Sequence, residues 1–219
     1  MKSGFTILTR LAVVSFILLL QGCANRRLET AWKTDHILPL NYSRILVVAI
    51  LPDEDSIIRQ KTEQHFVTTL NQTGYQATSA VTQFGWKGLA NLGEDITYNK
   101  LSDAGFDAVI ILALVNKENE KGNEIANTRT FPSNFYYRRI WEYKNTLVQP
   151  HGENSSVKTY FWESLLFDLS RLEAVCAIQT REGDRATQLK MGETIARPIL
   201  QRMIKEETLK KGKPKQKAF

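Results

Sequence analysis

Cysteine is scarce: the 219 residues hold two, Cys23 and Cys176, too few to staple a small secreted scaffold. Twelve glycines and six prolines exclude collagen-like and low-complexity chains. The three histidines, His36, His65 and His151, stand far apart, whereas a zinc site draws on His or Cys pairs at short spacing. No Gly-x-Ser-x-Gly elbow, phosphate-binding glycine loop, dinucleotide fingerprint or His-Glu-x-x-His occurs, and each of those chemistries depends on its spacing. Gly85-Trp86-Lys87-Gly88 is glycine-rich but follows no strand-to-helix turn of the phosphate-loop kind. The longest apolar run, Leu11 to Leu20, is broken by Ser15; at about ten residues it is too short for a mature span of roughly 30 Å, which takes about 20. No cofactor, no metal and no enzymatic activity are expected from these absences.

What is present is an ordinary globular composition, 42% apolar and 24% charged, enough chain for one domain with its own core. Lys2 and Arg10 precede and open the apolar run, which ends in Leu20-Gln21-Gly22-Cys23. Residues 1–22 therefore read as a targeting segment. Its end resembles the lipobox of bacterial lipoproteins, with an aliphatic residue at −3, a small residue at −1 and then the acceptor cysteine. The resemblance implies cleavage before Cys23, diacylglycerol on the Cys23 thiol, and a bilayer as the first partner through the acyl chains. Position +2 is Ala24 rather than the Asp that retains such proteins in the inner membrane, which implies the outer membrane with the domain facing the periplasm. The alternative is an ordinary secretory signal with an incidental cysteine. Residues 23–42 then read as a lipidated tether.

The charge sits in one place. Without Lys2 and Arg10 the chain carries 27 basic and 23 acidic residues, and five of those bases lie in Lys210-Lys211-Gly212-Lys213-Pro214-Lys215-Gln216-Lys217. The body of the domain is close to neutral, so the basic balance belongs to a tail, residues 207–219, expected to be disordered. It serves either as a solubilising end or as a contact for anionic head groups or acidic cell-wall polymer. Secretion makes nucleic acid the poorest partner.

Residues 43–206 read as a single α/β domain. Arg44 to Leu51 is apolar on both alternating sets, as in a strand covered on both faces. Asp53 or Asp55 starts a helix whose stripe is Ile57, Ile58, Phe66, Val67 and Leu70, closed by Gly74. A short strand at 75–79, a glycine-bearing loop over 81–94 and a helix over 97–103 follow. Phe106 to Val115 is a second central strand. Crossovers of this length demand parallel pairing. Residues 116–156 read as a loop or irregular insertion, with an irregular strand over 135–148. Val157–Phe167 and Glu173–Arg181 pair as an antiparallel hairpin through Leu169-Ser170-Arg171. Asp184 caps a last helix whose buried face is Leu189, Ile195, Ala196, Ile199, Leu200 and Met203, with Pro198 expected to kink it near Thr194. The expected fold is a mixed five-stranded sheet, parallel β-α-β-α-β followed by the hairpin and a C-terminal helix, in two or three layers.

The stretches Arg44–Ile50, Arg59 with Glu63, Gly74–Ser79, Gly105–Ile110 and Tyr160–Asp168 resemble a group of small bacterial periplasmic lipoproteins. Where that group ends its hairpin in Trp-Ser-Gly, this chain has Cys176-Ala177-Ile178. Its domain looks like the α/β domain of the TolB amino-terminal region, the curli-secretion lipoprotein and the lipoprotein activator of penicillin-binding proteins. Those relatives are assembly or activation modules, so the resemblance implies a non-enzymatic envelope protein with a protein partner.

Three sites are candidates. Cys23 is the lipidation site. Glu163 shares a strand face with Phe161, Leu165 and Phe167, and a carboxylate there is either paired inside the core or lines a cleft. The cluster Phe131, Phe135, Tyr136, Tyr137, Trp141 and Tyr143 with Arg138 and Arg139 has the composition of interface hot spots. Tyr137, Arg138 and Trp141 are its leading members, for a protein partner or a stacked glycan. The alternative is an edge strand whose aromatics cover the core. Cys176, in an apolar run, reads as a buried small hydrophobe. A ligand- or glycan-binding protein is the second functional expectation and a hydrolase the third.

Overall fold

The computed structural model describes residues 28–34, 41–51, 56–89, 92–119, 124–127, 157–182 and 185–210. Their elements are β1 (Leu28–Lys33), β2 (Ile45–Ile50), α1 (Ser56–Gln72), β3 (Ala77–Ser79), α2 (Ala80–Phe84), α3 (Glu94–Asp103), β4 (Ala108–Asn119), β5 (Glu124–Asn127), β6 (Val157–Asp168), β7 (Glu173–Glu182) and α4 (Arg185–Lys205). The sheet runs β1-β7-β6-β4-β2-β3, with β5 pairing only the outer end of β4.

β2 is buried at every position. One alternating set, Ile45, Val47 and Ala49, joins the core under α1 and α4 with Phe66, Leu70, Ile195 and Met203. The other set, Leu46, Val48 and Ile50, joins a second core with Leu101 and Ala80 from α3 and α2. Helices thus lie on both faces, which is the physical reason for a strand apolar on both sides. β2 pairs parallel with β3 and β4, and β6 pairs antiparallel with β4 and β7, as the crossover and hairpin lengths require.

The expected five strands are a path of six. The added strand is β1, formed by residues expected in the tether. It pairs antiparallel with β7, from Leu28 beside Thr180 to Lys33 beside Cys176. β1 covers the backbone groups that the outer edge of β7 would otherwise leave open, and Lys33 Nζ donates to the Glu206 carbonyl at 3.2 Å. The insertion also begins later than expected: β4 runs on to Asn119, and β5 returns along it. At the other end Thr208 and Leu209, expected in the tail, are buried.

In α1 the buried set is Ile58, Thr62, Glu63, Phe66, Val67 and Leu70. Ile57, expected in the stripe, is 64% exposed. Gly74 closes the helix at φ 94°, a left-handed conformation that only glycine adopts readily. Asp53, Asp55 and Asp184, expected as caps, and the strand expected over 135–148 lie outside the described residues. α4 continues through Pro198 to Lys205, with Ile195, Ala196, Ile199, Leu200 and Met203 buried as the periodicity requires. Where α1 and α4 cross, a Cβ on Gly192 would stand 2.9 Å from His65 Cβ and 2.9 Å from Thr62 Cα. The two backbones meet there because position 192 has no side chain.

Candidate functional site

β2 ends at Ile50, and β3 stops at Ser79 after three residues. Ile45 donates its amide toward β3, to the Gln76 carbonyl at 2.8 Å, so the amide of Ala49 points to the same side, beyond the last residue of β3. Glu63, from α1, fills that place. Its Oε1 accepts the Ala49 amide at 2.9 Å. Its Oε2 accepts the Ser79 hydroxyl at 2.6 Å and the Val81 amide at 3.0 Å. Arg59, one turn earlier, stands 3.4 Å from Oε1. A charged side chain inside a core is tolerated when its lone pairs are satisfied in this way.

Arg59 also donates to the Trp86 carbonyl at 3.3 Å and lies over the Trp86 ring, 5.9 Å from its centroid. Trp86 remains 45% exposed. Arg59 and Trp86 therefore form the rim of the carboxyl edge of the parallel strands, where open α/β sheets hold their ligands. Here the carboxylate that reaches that edge is engaged by backbone and hydroxyl donors. The arrangement ties α1, β2, β3 and α2 together.

Two other carboxylates are engaged in a similar way. Asp168 closes the β6–β7 turn: its carboxylate accepts from the Ser170 amide and hydroxyl, at 2.8 and 2.6 Å, and from the Arg171 amide and guanidinium, at 3.0 and 2.9 Å. Burial works against its charge, but the Ser170 and Arg171 hydrogen bonds outweigh it and hold the carboxyl below its ordinary range. Tyr42 donates to the same carboxylate at 3.4 Å, and burial together with the Asp168 charge pushes its phenol upward. Asp107 accepts the amides of Ser43 and Arg44 at the start of β2.

Cys176 is buried, and burial pushes its thiol up to about 11. Thr208 Oγ1 lies 3.4 Å from the sulfur. A thiol in that state is a packing group, not a nucleophile. Glu163 is 4% exposed. Its register partners are Ala113 on β4 and Gln179 on β7, and Leu165 and Phe167 pack in the same core with Phe161 against it. Phe161, Leu165 and Phe167 thus share one face, as alternation requires. Cys23, Tyr137, Arg138 and Trp141 lie outside the described residues, as do His36 and His151.

The Glu63 clasp was within reach of the sequence. Arg59 and Glu63 were visible as a pair, but Glu63 also stands at i−3 from Phe66 and i−4 from Val67, on the buried side of the stripe. A carboxylate on an apolar helix face is the signal of a buried partner set. Two of its partners, the Ala49 and Val81 amides, are backbone groups and carry no side-chain signature.

Among the described residues no group of three or more His, Cys, Asp or Glu side chains could hold a metal ion. No described helix is long and apolar enough to cross a membrane. A shallow groove of about 160 Å³ lies outside the α1–α4 pair, lined by Thr69, Gln72, Thr73, Arg197, Leu200 and Gln201 among others, below the size at which drug-like ligands are enclosed.

No protein-family model matches the chain, and no curated protein matches it. Among solved structures it is similar to a variant of the PelC dodecamer from Paraburkholderia phytofirmans, at 10% identity over 78% of this chain and 96% of that one, with a TM-score of 0.42. A second PelC dodecamer crystal form gives 10% identity over 78% and 94%, with a TM-score of 0.40. Lipoprotein GNA1162 from Neisseria meningitidis gives 14% identity over 73% and 99%, with a TM-score of 0.37.

Proposed function

We propose that the chain is an outer-membrane-anchored periplasmic lipoprotein that acts as a non-enzymatic protein-binding and assembly module of the cell envelope. The observation that carries this reading is Leu20-Gln21-Gly22-Cys23 at the end of a charged and apolar leader, placed only a few residues before a folded sheet begins at Leu28. Two or three acyl chains on Cys23 hold firmly, at about 0.8 kcal/mol per buried CH₂. Ala24 at +2 supports the outer membrane as the destination.

The chemistry of the domain supports a module without turnover. Glu63, Asp107 and Asp168 each bind backbone amides, and the Cys176 thiol is buried. Partner binding is assigned to the insertion between β4 and β6 through Tyr137, Arg138 and Trp141, residue types that dominate interface energetics.

The test is in-cell cross-linking of the natural protein, the double variant Tyr137→Ala/Trp141→Ala and Cys23→Ser, each followed by membrane fractionation. The natural protein sediments with the outer membrane and cross-links to a defined envelope protein. The double variant stays folded and anchored but loses that product, and Cys23→Ser loses both. An unchanged cross-link in the double variant removes the binding assignment. A saturable thermal shift with muropeptides or glycans would replace the module reading with a ligand-binding one.

A further inference from the structure

We propose that the carboxyl edge of the parallel strands is the end of the domain turned toward the bilayer; this rests on Cys23 being the lipid anchor. Five Cα steps separate Cys23 from Leu28, a reach of about 18 Å fully extended. The tether is therefore short, because β1 takes residues 28–33 into the sheet.

Register then fixes where the tether leaves. Leu28 stands beside Thr180, Thr180 beside Trp162, and Trp162 beside Leu114. That row lies one residue beyond Ile50 and Ala113, where β2 ends. The chain thus enters β1 from the carboxyl edge. Beyond that row β4 continues from Leu114 to Asn119, still paired with β6, a projection of about 17 Å at roughly 3.3 Å per residue. The stretched tether is about as long as this ribbon.

The opposite end is out of reach. Doubling back along β1, the same five steps end level with Lys33. Lys33 lies in a row with Cys176, Leu166, Ile110 and Val47, two residues short of the far end of the sheet at Ala108 and Asp168.

Ile57 in the first turn of α1 is 64% exposed, Ile96 in the first turn of α3 is 59% exposed, and Trp86 between them is 45% exposed. α1 follows β2, so its first turn lies at the carboxyl edge by topology; α3 leads into β4, so its first turn lies away from the start of that strand. Toward the far end, Lys33 Nζ meets the Glu206 carbonyl just after α4.

The experiment uses the full-length lipidated protein in phosphatidylethanolamine/phosphatidylglycerol vesicles doped with an acceptor fluorophore on the lipid head group. A donor is placed at Ile57→Cys or at Lys205→Cys, Cys176 being buried and Cys23 acylated. The two sites are separated by about the length of α4, roughly 30 Å, and the expected result is about twofold greater energy transfer from position 57. Equal transfer, as an edge-on or tumbling domain gives, or greater transfer from position 205 overturns the orientation. The intact mass of the same sample separates the two failures. Acyl chains present with equal transfer defeat the orientation alone, and acyl chains absent defeat the anchor and the orientation together.

Discussion

The Glu63 carboxylate stands in for a strand: its Oε1 accepts the Ala49 amide at 2.9 Å, on the side of β2 that β3 no longer covers after Ser79. A three-residue strand at the edge of a parallel sheet leaves its neighbour's amides exposed to the core. One side chain from the crossing helix completes the ladder and, through Ser79 and Val81, fixes how the chain leaves β3 for α2.

Removing that carboxylate strands its donors. Glu63→Ala leaves the Ala49 and Val81 amides and the Ser79 hydroxyl without their acceptor, and each unmet buried group costs about 1–3 kcal/mol. The urea midpoint falls by the equivalent of about 3 kcal/mol or more. Glu63→Gln keeps one acceptor oxygen and falls by less. Equal midpoints for the natural protein and Glu63→Ala would contradict the clasp.

The α1–α4 crossing depends on one hydrogen atom. Gly192→Ala places a methyl 2.9 Å from Thr62 Cα and His65 Cβ, so the helices separate. The expected loss is about 1–3 kcal/mol, the range for overpacking a tight core, although alanine is the better helix former. Thermal melting of the variant reads the sign: propensity alone predicts a higher melting temperature, and the contact predicts a lower one.

Asp168 sets part of the acid limb. Its folded-state carboxyl lies below the ordinary value, so its stabilisation is complete above the unfolded value, near 3.8, and is lost as pH falls through the lower folded one. Stability against pH has a shallower acid limb in Asp168→Asn than in the natural protein. The variant is also less stable at neutral pH, since Ser170, Arg171 and Tyr42 lose an ionised acceptor.

Cys176 acts at the other limb. Its folded-state value is about 11 against an ordinary 9.0. The unfolded thiol ionises first, and stability declines as pH rises from about 9 to about 11, by up to about 1.4 kcal/mol per pH unit for one group. Cys176→Ala removes that part of the decline. Native protein is expected to resist iodoacetamide at neutral pH, while unfolded protein reacts.

The parts legible in the sequence were those set by local pattern. Ile45–Ile50 is apolar on both faces, the α1 stripe has helical spacing, Gly74 marks its end, and Leu169-Ser170-Arg171 is too short for anything but antiparallel pairing. β1 was not legible. Leu28-Glu29-Thr30-Ala31-Trp32-Lys33 alternates weakly, and its place depends on the open edge of β7, almost 150 residues away in sequence. Ile57 was misplaced because two adjacent isoleucines fit the same stripe and only Ile58 turns inward. The Glu63 site escaped because two of its four donors are backbone amides, while Glu163 drew notice as a charge in an apolar strand.

Intact mass spectrometry of the mature protein from its own membranes tests the Cys23 anchor most directly. The account predicts a chain beginning at Cys23 with the added mass of diacylglycerol, with or without a third acyl chain, lost in Cys23→Ser. A chain that keeps residues 1–22, or one that begins at residue 23 without added lipid, would contradict it.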